Sequence, residues 1–150
     1  METRAERLTA SQVALQLRDA INKVNRRLRQ TRPLGDVTIA QISALQSLDA
    51  AGAMTPRELA EAERVQPPTM TRIIARLEER GLIQRTPHPT DGRQAILAPS
   101  PLGRELLAEY QRVRDEWLSN RVAGLSPEER DTLRAAAEIL IRLAKQSTNE

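Results

Sequence analysis

The chain has no cysteine and no phenylalanine, and only one tryptophan, one tyrosine and one histidine among its 150 residues. Without cysteine there is no disulfide framework, no thiolate nucleophile and no thiol-based redox sensor. A single imidazole, His88, excludes a histidine-rich zinc site. It stands between Pro87 and Pro89 with no paired serine or aspartate pattern, so the usual nucleophile–base constellations are missing. The six glycines form no phosphate-cradling loop. These absences predict a protein that is not an enzyme and needs no cofactor or metal. Scarce aromatics also argue against a surface that stacks single-stranded DNA or RNA bases. No run approaches the roughly 18 apolar residues that span a bilayer. The opening METRAERLTASQ lacks the apolar core of a signal peptide. No membrane partner and a cytoplasmic location are expected.

Lysine is nearly absent as well, at Lys23 and Lys145 alone, so the formal charge of +3 is carried by arginine. Arg18, Lys23, Arg26, Arg27, Arg29 and Arg32 outweigh Asp19 in one basic segment. Asp36, Asp49, Glu58, Glu61 and Glu63 outweigh Arg57 in the next. Arg64, Arg72, Arg76, Arg80, Arg85 and Arg93 outweigh Glu78, Glu79 and Asp91 in a third. A basic balance of this kind is compatible with a nucleic-acid partner. Two basic segments around an acidic one also predict some internal pairing.

What remains is aliphatic, and it is spaced for helices. Val13, Leu17, Ile21, Val24 and Leu28 recur at three and four, predicting a helix over 10–30. After a loop with Pro33 and Gly35, Thr38 and Gln41 form a capping box that opens a helix with Ile39, Ile42, Leu45 and Leu48 inward and Gly52 at its end. Thr55, Pro56 and Glu58 open a short helix with Leu59 and Ala62 inward. Pro67 and Pro68 suit the first turn of a fourth helix, where a missing N–H costs nothing. It presents Met70, Ile73, Ile74 and Leu77 on one face and stops at Gly81. Leu82-Ile83 and Ala95-Ile96-Leu97, with Asp91-Gly92 between them, predict a two-stranded hairpin whose tip Pro87 and Pro89 keep from further pairing. Ser100-Pro101 opens a fifth helix with Leu102, Leu106, Tyr110, Val113 and Trp117. Ser126 and Glu129 cap a sixth with Leu133, Leu140 and Ile141.

A short helix, a tight joint at Val65-Gln66, a second helix and then a hairpin make a winged helix-turn-helix. In that arrangement the helix beginning QPPTMTRII enters the major groove. Its N-terminus would offer free N–H groups to phosphate. Thr69 and Thr71 would supply hydroxyls and methyls, and Arg72 and Arg76 could fork onto guanine or clamp a phosphate. No acidic residue lies between Gln66 and Arg76. The hairpin tip adds Arg85, His88 and Arg93; an arginine on such a tip can enter a narrow minor groove.

The stretches TIAQISALQSL, MTPRELAEAERV, MTRIIARLEERGLIQR and DGRQAILAPSPLGREL resemble those of the MarR-type transcriptional regulators. The most specific are L-E-x-R-G-L-I-x-R, the spaced D-x-R and the P-x-G that opens the next helix. Where that family commonly opens the recognition helix with serine, this chain has Gln66-Pro67-Pro68. The resemblance implies a mainly α fold. It would comprise an N-terminal dimerisation helix within 1–34, a winged helix-turn-helix DNA-binding module at 36–100 with a two-stranded β-hairpin wing, and C-terminal dimerisation helices at 101–150. It implies a homodimeric repressor (or activator) on pseudo-palindromic double-stranded operator DNA, in a family whose members often release DNA on binding a small aromatic or phenolic ligand. It also implies that Asp91 braces the wing and Arg93 reaches the minor groove. The candidate DNA-binding residues are Thr55, Arg57, Gln66, Pro68, Thr69, Thr71, Arg72, Arg76, Arg85, Thr90, Asp91, Gly92 and Arg93. Tyr110 and Trp117, seven apart on one helix face, read as core before pocket. The competing reading is a winged-helix module that binds protein instead of DNA, and salt dependence separates the two.

Overall fold

The computed structural model describes residues 8–31 and 35–145. Arg32 and Pro33, and the opening residues through Arg7, lie outside that range. The elements run α1 (Ala10–Gln30), α2 (Ile39–Ala51), α3 (Pro56–Glu63), α4 (Pro67–Glu79), β1 (Ile83–Pro87), β2 (Ala95–Pro99), α5 (Pro101–Ala123) and α6 (Pro127–Lys145). Two compact units emerge. Residues 29–113 form one; α1 to Leu28, the end of α5 and α6 form the other.

The helix starts follow the expected chemistry. Thr38 and Gln41, Thr55 and Glu58, and Ser126 and Glu129 each exchange reciprocal capping hydrogen bonds. Each cap of this kind is worth about 1 kcal/mol. The ends divide by residue type. Gly52 and Gly81 take positive φ, 83° and 67°. At Gly81 the N–H groups of Gly81 and Leu82 close back on the carbonyls of Glu78 and Leu77, the bonding that a left-handed residue at this position permits. The α3–α4 joint makes the same closure without glycine: Arg64 stands at φ 53°, ψ 45°, and the Arg64 and Val65 N–H groups return to Glu61 and Ala60.

In the unit of residues 29–113, α2, α3, α4 and the hairpin enclose one core. Leu45, Leu48, Leu59, Met70, Leu77 and Leu97 are fully buried within it, with Ile74 and Ile83 beside them. Each such side chain contributes about 1.5–3 kcal/mol of apolar burial. Two expected inward positions differ. Ile39 is exposed and Gln41 and Ala44 are buried in its place; Ala62 is exposed while Ala60 is buried. Near helix ends the buried stripe is set by what the helix packs against, not by the period alone. Ser43 Oγ donates to Glu63 at 2.6 Å, and Ser47 donates to the other oxygen of the same carboxylate, which ties α2 to the end of α3.

Strands β1 and β2 pair antiparallel from Ile83–Pro99 to Pro87–Ala95. Pro87 therefore lies in the ladder, contrary to expectation. As the last residue of the strand its missing N–H interrupts nothing. Leu97 also exchanges two backbone hydrogen bonds with Met54, at 2.8 and 3.0 Å, so the segment before α3 acts as a one-residue third strand.

The first turns of α5 belong to the same unit. Ser100 Oγ donates to the Gly81 carbonyl at 2.6 Å and accepts from Gly103 N–H at 3.0 Å, while Ser100 N–H donates to the Leu82 carbonyl. A Cβ on Gly103 would fall 2.1 Å from the Leu82 oxygen. Only glycine lets the helix approach this closely, which accounts for the P-x-G. Tyr110 is buried with Val37 and Ile42, and Leu106 and Leu107 pack beside them. Tyr110 is thus core; Trp117 is half-buried, with the Arg121 guanidinium 5.3 Å from its ring centre.

In the other unit, α6 has no buried residue and α1 buries only Leu28. Val13, Leu15, Ile21, Val24, Leu133, Ile139, Ile141 and Leu143 are all exposed.

Candidate nucleic-acid interface

The exposed side of α4 is the face that its apolar stripe leaves behind. Met70, Ile74 and Leu77 are buried; Gln66, Pro67, Pro68, Thr69, Thr71, Arg72 and Arg76 are exposed. Arg72 makes no hydrogen bond or ion pair among the described residues, which leaves its full fork of donors available. Arg76 is held by Glu79 at 2.8 Å, an exposed pair of little energetic weight that another anion can displace. Thr71 Oγ1 donates back to the Pro67 carbonyl at 2.9 Å, so this hydroxyl keeps only its acceptor capacity.

The helix N-terminus corrects one expectation. Free N–H groups for phosphate are missing at its first positions. Pro67 and Pro68 have none, and the N–H groups of Thr69 and Met70 both donate to the Gln66 carbonyl at 3.0 Å. Gln66 caps without a side-chain hydrogen bond. Recognition at this end falls to side chains.

Three further candidates are each engaged within the unit. Thr55 is buried, with its hydroxyl accepting from Glu58 N–H, so its side chain serves the α3 cap and is withdrawn from the exposed face. Arg85 is exposed, but its Nε donates to Glu78 Oε1 at 2.7 Å. That hydrogen bond raises its pKa further and links β1 to α4. Arg57 is exposed and paired with Glu61 at 3.2 Å.

At the wing tip, Thr90, Asp91, Gly92 and Arg93 are all exposed. Asp91 Oδ1 accepts from the Arg93 backbone N–H at 3.1 Å, and the Asp91 carbonyl accepts from Gln94 N–H at 3.0 Å. Asp91 therefore shapes the turn, and the Arg93 guanidinium has no partner among the described residues. The His88 ring, noted in the sequence only as part of the tip, is half-buried at the base of the turn. Its Nδ1 lies 3.2 Å from both Thr90 N and Asp91 N.

Part of the opposing acidic charge is neutralised within the unit. Asp36 pairs with Arg80, whose hydrogen bond holds the Asp36 carboxyl below the usual aspartate range. Asp49 lies 3.6 Å from Arg104. The net result is a surface on which Arg72 and Arg93 project from α4 and from the wing without carboxylate partners.

A three-helix core closed by a hairpin, with arginine and threonine on the exposed side of its last helix, defines a winged helix-turn-helix protein. A sequence model of the MarR family matches residues 37–95. An HTH-type transcriptional regulator of Mycobacterium bovis is 44% identical over 91% of this chain and 96% of its own length. The multiple antibiotic resistance protein MarR of Salmonella typhimurium is 31% identical over 65% of this chain and 69% of its own. The chain belongs to the MarR family and is a DNA-binding transcriptional regulator. Among solved structures, the YusO protein of Bacillus subtilis aligns with a TM-score of 0.72 at 28% identity, covering 93% of this chain and all of that one. A Staphylococcus aureus MepR mutant solved bound to an oligodeoxyribonucleotide shares the fold, with a TM-score of 0.69 at 22% identity and the same coverage.

Proposed function

We propose that the protein is a homodimeric repressor that reads a pseudo-palindromic operator, with α4 in the major groove and the wing tip in the flanking minor groove. The observation that carries this reading is Arg72: exposed, without a carboxylate partner, and flanked by the exposed Thr69 and Arg76. A guanidinium so placed can donate two parallel hydrogen bonds to guanine O6 and N7, while Arg93 matches the negative potential of a narrow A·T minor groove. The dimer is supported by the apolar residues of α1 and α6 that stand exposed in a single subunit, since stripes of that kind are covered by a two-fold copy in helical dimers. Such a dimer would space its two α4 helices by about 34–36 Å, one turn of DNA. Selection of bound duplexes from a random pool tests all of this together. An inverted repeat with half-sites one turn apart is expected; a pool without a repeat would refute the symmetric reading.

Release by a small aromatic or phenolic ligand belongs to the same proposal, supported by family membership alone. A panel of aromatic acids and phenols added to the protein–operator complex tests it, and undiminished binding across the panel would remove that part.

A further inference from the structure

The wing tip is organised around an atom that no part of the DNA reading uses. His88 N–H donates to the Gln94 carbonyl at 3.0 Å and closes the hairpin. From there the chain passes Pro89, which has no N–H, and turns so that the next two backbone donors, on Thr90 and Asp91, both face His88 Nδ1 at 3.2 Å. The Thr90 hydroxyl stands at the same distance. Asp91, so placed, accepts the Arg93 N–H. A ring nitrogen that faces two amide donors must act as an acceptor, which requires an unprotonated Nδ1. The chain of contacts therefore runs from a lone pair on His88, through Asp91, to the backbone that carries Arg93.

We propose that neutral His88 is a positioning residue for DNA binding, an acceptor cap that holds the wing tip in the shape that presents Arg93, and that a proton on its Nδ1 releases the tip. Protonation replaces the acceptor with a third donor pointed at two others, so the turn loses its internal partner and the Asp91 and Arg93 positions loosen. The charged groups sharing the tip are Asp91, whose Oδ1 accepts the Arg93 N–H, and Arg93 itself; Arg85 is turned to Glu78 on α4. The inference rests on the reading that Arg93 enters the groove.

Asparagine at this position separates the cap from the titration. Its amide oxygen stands the same number of bonds from Cα as Nδ1 and accepts at every pH. Operator affinity of the wild type, His88→Asn, His88→Leu and Arg93→Ala is measured from about pH 8 to about pH 5, alongside imidazole nitrogen shifts of the free protein. At the upper end His88→Asn should match the wild type, and His88→Leu should bind about two- to tenfold more weakly, the span of one ordinary hydrogen bond's net contribution. On acidification the wild type should fall toward His88→Leu while His88→Asn does not follow. The neutral ring should carry its proton on Nε2. A proton on Nδ1 at neutral pH, a wild-type to His88→Asn ratio that stays flat, or a ratio that rises because the imidazolium attracts phosphate would each overturn the proposal. If Arg93→Ala binds as well as the wild type, the wing reading itself fails; if Arg93→Ala is weak and the ratio is flat, only the cap fails.

Discussion

Replacing Gly103 with alanine places a methyl carbon 2.1 Å from the Leu82 carbonyl oxygen and 3.3 Å from Leu45 Cδ1. The oxygen is backbone and cannot swing aside, so the start of α5 and the segment after α4 must separate by about 1 Å or more to restore ordinary contact. That displacement strains the hydrogen bonds Ser100 makes to Gly81 and Leu82. Losing both costs about 2 kcal/mol, and loosening the packing of Leu45 and Leu82 adds about 1 kcal/mol more. Alanine returns about 1 kcal/mol through helix propensity. The net loss is about 2 kcal/mol, equal to a fall in melting temperature of about 4–8 °C for a chain of this length. Thermal unfolding should be followed at fixed subunit concentration, since association shifts the midpoint. Gly124→Ala is the internal control: its added carbon would meet only the Arg121 carbonyl, at 3.5 Å, and its midpoint should stay put. A Gly103→Ala protein that melts with or above the parent would refute the close-approach account of this glycine.

Arg72→Ala should weaken operator binding by about 1–3 kcal/mol and relax base choice at one position of each half-site; unchanged affinity and sequence preference in a binding titration would take Arg72 out of the interface. Arg93→Ala should lose most on operators with A·T-rich flanks, and a footprint unchanged in length and strength would count against a minor-groove wing. Arg64→Gly should raise the melting temperature, because the left-handed conformation costs a side-chain-bearing residue about 1 kcal/mol or more, whereas Arg64→Val should lower it; the reverse order would mean that the joint changes shape with the residue. Asp36 is held below the usual aspartate range chiefly by its hydrogen bond to Arg80, so its contribution is present above the unfolded value and fades as pH falls through the lowered one. Acid unfolding of Asp36→Asn should therefore show less of the wild type's pH dependence in the carboxylate range, and parallel curves would exclude the pair.

The helices and their caps were legible because both are local: a capping box needs four residues and an apolar stripe needs two turns. The site was legible to the extent that it is the complement of a stripe, as with Arg72 and Arg76 opposite Met70 and Leu77. What sequence did not disclose depends on partners distant along the chain. Arg85 reads as a free cation until Glu78, a full hairpin entry away on α4, is seen to hold it. Met54 reads as loop until β2 is laid beside it. The turn at Arg64 carries no glycine to announce its positive φ. The loss of N-terminal amides on α4 was open to inspection in Pro67-Pro68, since proline has no N–H; what hid it was the expectation that any helix start presents donors. His88 had a local signal too, in donors placed two and three residues after it, but one imidazole between prolines reads first as solvated turn.

The cations presented by α4 and the wing are guanidinium groups without an ammonium among them, because Lys23 and Lys145 are the only lysines in the chain. Guanidinium stays charged at any physiological pH, and lysine acetylation, the common covalent means of erasing positive charge, finds no substrate on this surface. The arginine share of the attraction between this regulator and its operator is therefore fixed in the sequence, out of reach of acetylation.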